Sequence, residues 1–134
     1  MPACILRVSG STAKVRQFLS LARLKPYRVF WKGDPRHGGR VAQQSGFNIE
    51  LSTAEGLPDQ ARQAIRYATR HKADLDLIPQ LGFRAVSIDF GLHDLATEDR
   101  PWPSYVVPAA IARLATRLGA TIDLSFYGSA EHLS

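Results

Sequence analysis

A chain of 134 residues, 45% apolar and 22% charged, has the size and balance of a single globular domain that buries one core without disulfides or metal. The lone cysteine, Cys4, excludes an intrachain disulfide framework and a multi-cysteine zinc site. No apolar run approaches a membrane span, and Arg7 interrupts the short apolar start, so a reducing cytoplasm is the expected location. The net charge of +5 is unevenly spread, with +8 over residues 1–40 and −3 over residues 41–134. That asymmetry suggests an anionic partner for the first third, a self-complementary contact between two copies, or simple mixing of the two signs on one folded surface.

Cys4, Leu6 and Val8 alternate with Ile5 and Arg7, the pattern of a strand with one apolar face. Gly10 ends it, and Ser11 or Thr12 is placed to cap a helix whose stripe is Val15, Phe18, Leu19 and Ala22. Pro26 blocks any continuation of that helix. Tyr27, Val29 and Trp31 begin a second strand, and Phe47, Ile49 and Leu51 mark a third, joined to it as a long hairpin. Between them lies Phe30-Trp31-Lys32-Gly33-Asp34-Pro35-Arg36-His37-Gly38-Gly39-Arg40, a glycine-rich stretch that reads as a mobile basic loop. Pro58 suits the first position of a second helix carrying Leu57, Ala61, Ala64, Ile65 and Ala68, with an irregular piece expected from about residue 73 to Leu81.

Val86, Ile88 and Phe90 form a fourth strand, followed by a proline- and acid-rich loop over residues 91–104. Val107, Ile111, Leu114 and Leu118 define a third helix, stopped at Gly119, and Ile122, Leu124 and Phe126 a last strand. The resulting order is β-α-β-β-α-β-α-β in one domain spanning residues 1–134. Most strands have one apolar and one polar face, which suits a largely antiparallel sheet with helices on one side. The expected fold is an α+β two-layer sandwich: a split-βαβ, ferredoxin-like core with an added helix and strand.

Several pieces together resemble a bacterial family known as domain of unknown function four-two-seven-nine. They are Ile5-Leu6-Arg7-Val8 with Gly10, Leu24-Lys25-Pro26-Tyr27, Lys32-Gly33-Asp34, and the ending Leu118-Gly119-Ala120-Thr121-Ile122-Asp123-Leu124-Ser125-Phe126-Tyr127. After the Lys-Gly-acid turn this chain departs from that pattern, with Arg36-His37-Gly38-Gly39-Arg40 in place of further polar and aromatic residues. The resemblance implies a small cytoplasmic bacterial domain and brings no activity or catalytic residues.

Two groups of cations are candidates for an anion or a partner. The first is the loop, with Lys32, Arg36, His37 and Arg40 beside Asp34; the second is the helix stripe Arg62, Arg66, Arg70 at i, i+4, i+8. The loop is neither a P-loop nor a dinucleotide fingerprint, and a charged, solvated hairpin tip explains it equally. On the stripe, like charges repel by a few tenths of a kcal/mol per pair, so Asp59, acids within residues 74–99, or a bound anion should offset them. Glu50, Asp89 and Asp123 share the polar sheet face with Arg7 and Tyr127, where carboxylates paired with arginine are commonplace and acid–base chemistry would need one of them desolvated.

His37, His71, His93 and His132 show no metal-ligand spacing, no GxSxG elbow is present, and Cys4 falls on an apolar face. An enzyme would need His93, Asp94 and one strand carboxylate to meet in a cleft. Base stacking on the sheet is disfavoured because Glu50, Ser87, Asp89 and Asp123 stand where aromatics would be needed. The sequence therefore points to a non-enzymatic binding or interaction domain with no catalytic residues, cofactor or metal, whose partner is a protein or a second copy in a homodimer. The alternative is a binder of an anionic ligand or nucleic acid through residues 32–40 and the Arg62, Arg66, Arg70 face; no membrane association is expected.

Overall fold

The structure, a computed structural model, describes residues 3–93 and 104–127. The elements are β1 (Cys4–Gly10), α1 (Thr12–Leu21), β2 (Arg28–Phe30), a 3-10 turn (His37–Gly39), β3 (Ser45–Ser52), α2 (Leu57–Arg70), α3 (Lys72–Leu81), β4 (Ala85–Leu92), α4 (Ala109–Leu118) and β5 (Thr121–Phe126). Ser11 caps α1, its hydroxyl accepting from the Lys14 N–H at 3.3 Å. Gly119 closes α4 in the left-handed region at φ 66°, where a side chain would be strained. Pro58 stands in the first turn of α2, where its missing N–H costs nothing.

The five strands form one sheet in the order β2-β3-β1-β4-β5. The neighbours β2/β3, β3/β1 and β1/β4 are antiparallel, and β4/β5 are parallel, joined through α4. The first four strands thus have the ferredoxin-like arrangement, with α4 and β5 added at one edge. Leu6, Phe47, Ile49, Ile88 and Phe90 pack one face of the sheet against Val15 and Phe18 of α1, Ala61 and Ala64 of α2, Leu75 and Ile78 of α3, and Ile111 and Leu114 of α4. Phe18 stacks on Phe47 at 4.3 Å, and Phe83 meets Phe47 edge-on at 5.6 Å. Contacts of this kind add about 0.5–1.5 kcal/mol each beyond the area they bury.

The expected irregular piece after α2 is a helix. His71 makes a one-residue break, with φ −108° and ψ 31°, and α3 then runs to Gly82. Pro79 lies in the last turn of α3 and forgoes the helical bond to the Leu75 carbonyl, a local loss that leaves the helix secured to the core by the buried Leu75 and Ile78. No described helix is long and apolar enough to cross a membrane.

Candidate functional site

The helices occupy one face of the sheet, and strand parity sends the alternate residues to the other. Cross-strand pairing then aligns Arg28 of β2, Asn48 of β3, Arg7 of β1, Ser87 of β4 and Thr121 of β5 in one row through all five strands. At a strand spacing of about 4.8 Å that row is about 19 Å long. On one side of it lies the row Phe30, Gly46, Ser9, Ala85; on the other lies Glu50, Ile5, Asp89, Asp123. Glu50, Asp89 and Asp123, the acids expected on this face, are therefore confined to a single row.

Over the first two rows is a cleft of about 850 Å³, into which Arg7, Arg28, Arg36 and Arg84 project with Gln43, Gln44 and Asn48. A second hollow of about 580 Å³ shares Arg28 and Arg36 and adds Pro35, His37 and Arg40. Arg7 donates two 3.3 Å bonds to the buried carboxylate of Asp89, which also accepts from the Ser125 hydroxyl at 2.6 Å. Among the described residues, Arg28, Arg36, Arg40 and Arg84 have no acidic partner within 4.0 Å. Among the described residues, Asp123 is the one acid that lines the larger cleft.

The wall of the cleft is the stretch expected to be a mobile loop. Its backbone is cross-bonded instead: Gly33 N–H to Ala42 C=O at 2.8 Å, Ala42 N–H to Asp34 C=O at 2.8 Å, and Arg36 N–H to Arg40 C=O at 2.8 Å. The Asp34 carboxylate accepts from the Trp31 N–H at 2.7 Å, so this acid braces the turn. Gly33, Gly38 and Gly39 hold positive φ and make the reversals possible. At the base of this arm the buried Ser45 hydroxyl accepts from the Lys32 N–H at 2.9 Å and meets the Thr12 hydroxyl at 2.7 Å. On the opposite wall, Lys14 Nζ donates to the Gly82 carbonyl at 2.7 Å, fixing the turn that precedes Arg84.

Arg36 is held over the ring of Phe30, its guanidinium carbon 4.9 Å from the ring centre. Such a cation–π contact is worth about 0.5–1 kcal/mol at an exposed site. Phe30 in turn lies on the bare backbone of Gly46. Trp31, half-buried, packs under Arg16 at 5.6 Å and anchors the start of the arm.

Of the sequence candidates, the structure brings Arg36, His37 and Arg40 together around the smaller hollow. Lys32 is exposed and lines neither hollow. Arg62, Arg66 and Arg70 lie on the exposed side of α2, in the helical layer across the sheet from the cleft, so the loop and helix cations do not converge. Arg62 pairs with Asp59; Asp74 instead accepts the N–H groups of Arg23 and Leu24, and Asp76 pairs with Lys72 and Arg117. Asp94, Glu98, Asp99, Arg100, Trp102 and His132 lie outside the described residues. His93 is 6.2 Å from the Tyr127 ring, and among the described residues no three His, Cys, Asp or Glu side chains are grouped to hold a metal.

Arg7, Arg28 and Arg84 were not among the sequence candidates for an anion site. Arg28 and Arg7 had one available signal, since both fall at polar positions of alternating strands; their alignment depends on register, which alternation alone leaves free. Arg84 had none, because it precedes its strand. No family model, curated protein or solved structure matches this chain.

Proposed function

We propose that the chain is a non-enzymatic binding module whose open-face cleft takes an anionic ligand. The observation that carries this reading is the convergence of Arg7, Arg28, Arg36 and Arg84 on one recess, from β1, β2, the arm and the turn before β4. Three of them lack an acidic partner among the described residues. Unpaired like charges gathered in a concavity repel one another and raise the local potential, and an anion relieves both effects. The cations are all arginines, whose planar fork meets phosphate or carboxylate with two parallel bonds. Free and buried, the Cys4 thiol fits the reducing cytoplasm we assign to the protein.

Calorimetric titration with inorganic tripolyphosphate at low salt tests the reading. Saturable binding is expected, weakened at least tenfold by Arg28→Ala with Arg84→Ala, since each lost charge-assisted bond is worth about 1.5–3 kcal/mol. Arg66→Ala with Arg70→Ala on the far side should leave it unchanged. No binding, or equal loss in both double variants, would overturn the proposal.

A second reading, a homodimer, has one observation in its favour. β5 ends the sheet among the described residues, and Leu124, Phe126 and Tyr127 are 37%, 51% and 40% exposed on or beside it. An open strand edge with apolar side chains is a template for a second copy. Sedimentation of Leu124→Lys against the parent chain tests it; a parent that sediments as a monomer at high concentration removes it.

A further inference from the structure

Resting on the anion-binding reading of the cleft, we infer that the ligand is a single-stranded polynucleotide, held through its phosphates with little regard to sequence. The first ground is the layout of the charge. The larger cleft and the smaller hollow meet at Arg28 and Arg36, so the cations run from Arg84 at one side of the sheet through Arg28 and Arg36 to Arg40 in the arm. A lone phosphate or carboxylate is best held by donors converging on a point; a track of guanidinium groups suits a chain of evenly repeated charges.

The second ground is what lies between the charges. The guanidinium of Arg36, fixed over Phe30, offers a planar cationic surface, and such planes stack on bases. Gln43, Gln44 and Asn48 bring amides that both donate and accept, and so suit any base edge. An acidic peptide would use the charges but would have no need of the planar surface.

The third ground is the acidic row. Glu50, Asp89 and Asp123 run parallel to the row Arg28, Asn48, Arg7, Ser87, Thr121, two residues further along the strands, or about 7 Å away. With Asp89 held by Arg7, the row still carries Glu50 and Asp123, both exposed. It borders the track on one side and directs a polyanion across the strands. The cations line two adjoining hollows beside the arm, and a flexible single strand can follow such a surface more closely than a stiff duplex.

Fluorescence anisotropy of labelled eight-nucleotide single strands tests the inference, with matched duplex, inorganic polyphosphate and polyglutamate as competitors. The four arginines without an acidic partner among the described residues predict a plot of log affinity against log salt with a slope of about −3, roughly a 60-fold loss between 50 and 200 mM salt. Arg40→Ala and Arg84→Ala should each shrink that slope by about 0.7, while Arg84→Lys preserves it and lowers affinity. Thermal unfolding of each variant checks that it is folded. Single strands of different sequence should bind within a few fold of one another and be displaced poorly by duplex. The inference fails, with the anion reading intact, if polyphosphate or polyglutamate binds in an Arg28- and Arg84-dependent way while single strands do not compete, or if duplex binds as tightly. Both fail if no polyanion binds, or if oligonucleotide affinity ignores Arg28→Ala, Arg40→Ala and Arg84→Ala alike.

Discussion

Gly46 decides whether the wall of the cleft can exist. A Cβ there would come well inside 3.0 Å of both the Phe30 ring and the Val8 carbonyl. The ring can swing aside, but the carbonyl is sheet backbone and has nowhere to go. Gly46→Ala is therefore expected to cost about 1–3 kcal/mol, read as a lower urea midpoint with unchanged slope; a midpoint equal to that of the parent would contradict the close packing. Cys4 makes a second residue-scale case. Burial first, and the Asp89 carboxylate second, push its thiol up from 9.0 to about 12. The thiolate is the reactive form, so the native protein should resist a disulfide reagent at pH 8 and react promptly once unfolded. The sign of the pH effect follows. Below pH 9 the thiol is neutral in both states and contributes no slope. Between pH 9 and 12 the unfolded chain ionises while the native thiol does not, so stability falls as pH rises. Cys4→Ala should flatten that part of a stability profile.

Among the elements, α3 is joined to α4 by a shared carboxylate. Asp76 accepts from Lys72 at 2.7 Å, within α3, and from Arg117 of α4 at 3.0 Å. The Lys72 hydrogen bond above all, opposed by burial and then aided by the charges of Arg117 and Lys72, holds the Asp76 carboxyl below its ordinary 3.8. Its contribution is thus complete above pH 3.8 and is lost as pH falls through the lower native value. Asp76→Asn should cost up to about 1 kcal/mol at neutral pH, as partly exposed pairs do, and should lose less stability than the parent on acidification below pH 3.8. A parent and variant with parallel acid profiles would show the bridge to be idle. At this scale the sequence was informative: alternation located all five strands, and the stripes of α1, α2 and α4 were visible by period. The α3 helix was missed because Pro79 reads as a breaker and only His71 separates it from α2, although Leu75 and Ile78 stand three apart as core residues should.

For the whole molecule, what could not be read in advance was which polar residues become neighbours. Asn48 and Ser87 flank Arg7 only because β3 and β4 pair with β1 in one register; a slip of a single residue would turn every side chain to the other face. The same register turns an apparently acidic sheet face into a cationic band beside an acidic row. Glycine content suggested freedom in the arm, yet the cross-bonds that hold it join residues whose approach depends on the hairpin closing. If those bonds exist to hold Arg36 and Arg40 in place, stability and affinity should separate when the arm is loosened. Asp34→Ala removes the acceptor of the Trp31 N–H, a net loss of about 0.5–1.5 kcal/mol that falls on the arm rather than the core. Hydrogen exchange should accelerate across residues 33–42 while the β1, β3 and β4 amides keep their protection. Tripolyphosphate affinity should fall by about tenfold even though the urea midpoint barely moves, because disordered arginines must be ordered again on binding. Full affinity with a loosened arm would mean that Arg7, Arg28 and Arg84 hold the anion without it, and would confine the site to the sheet itself.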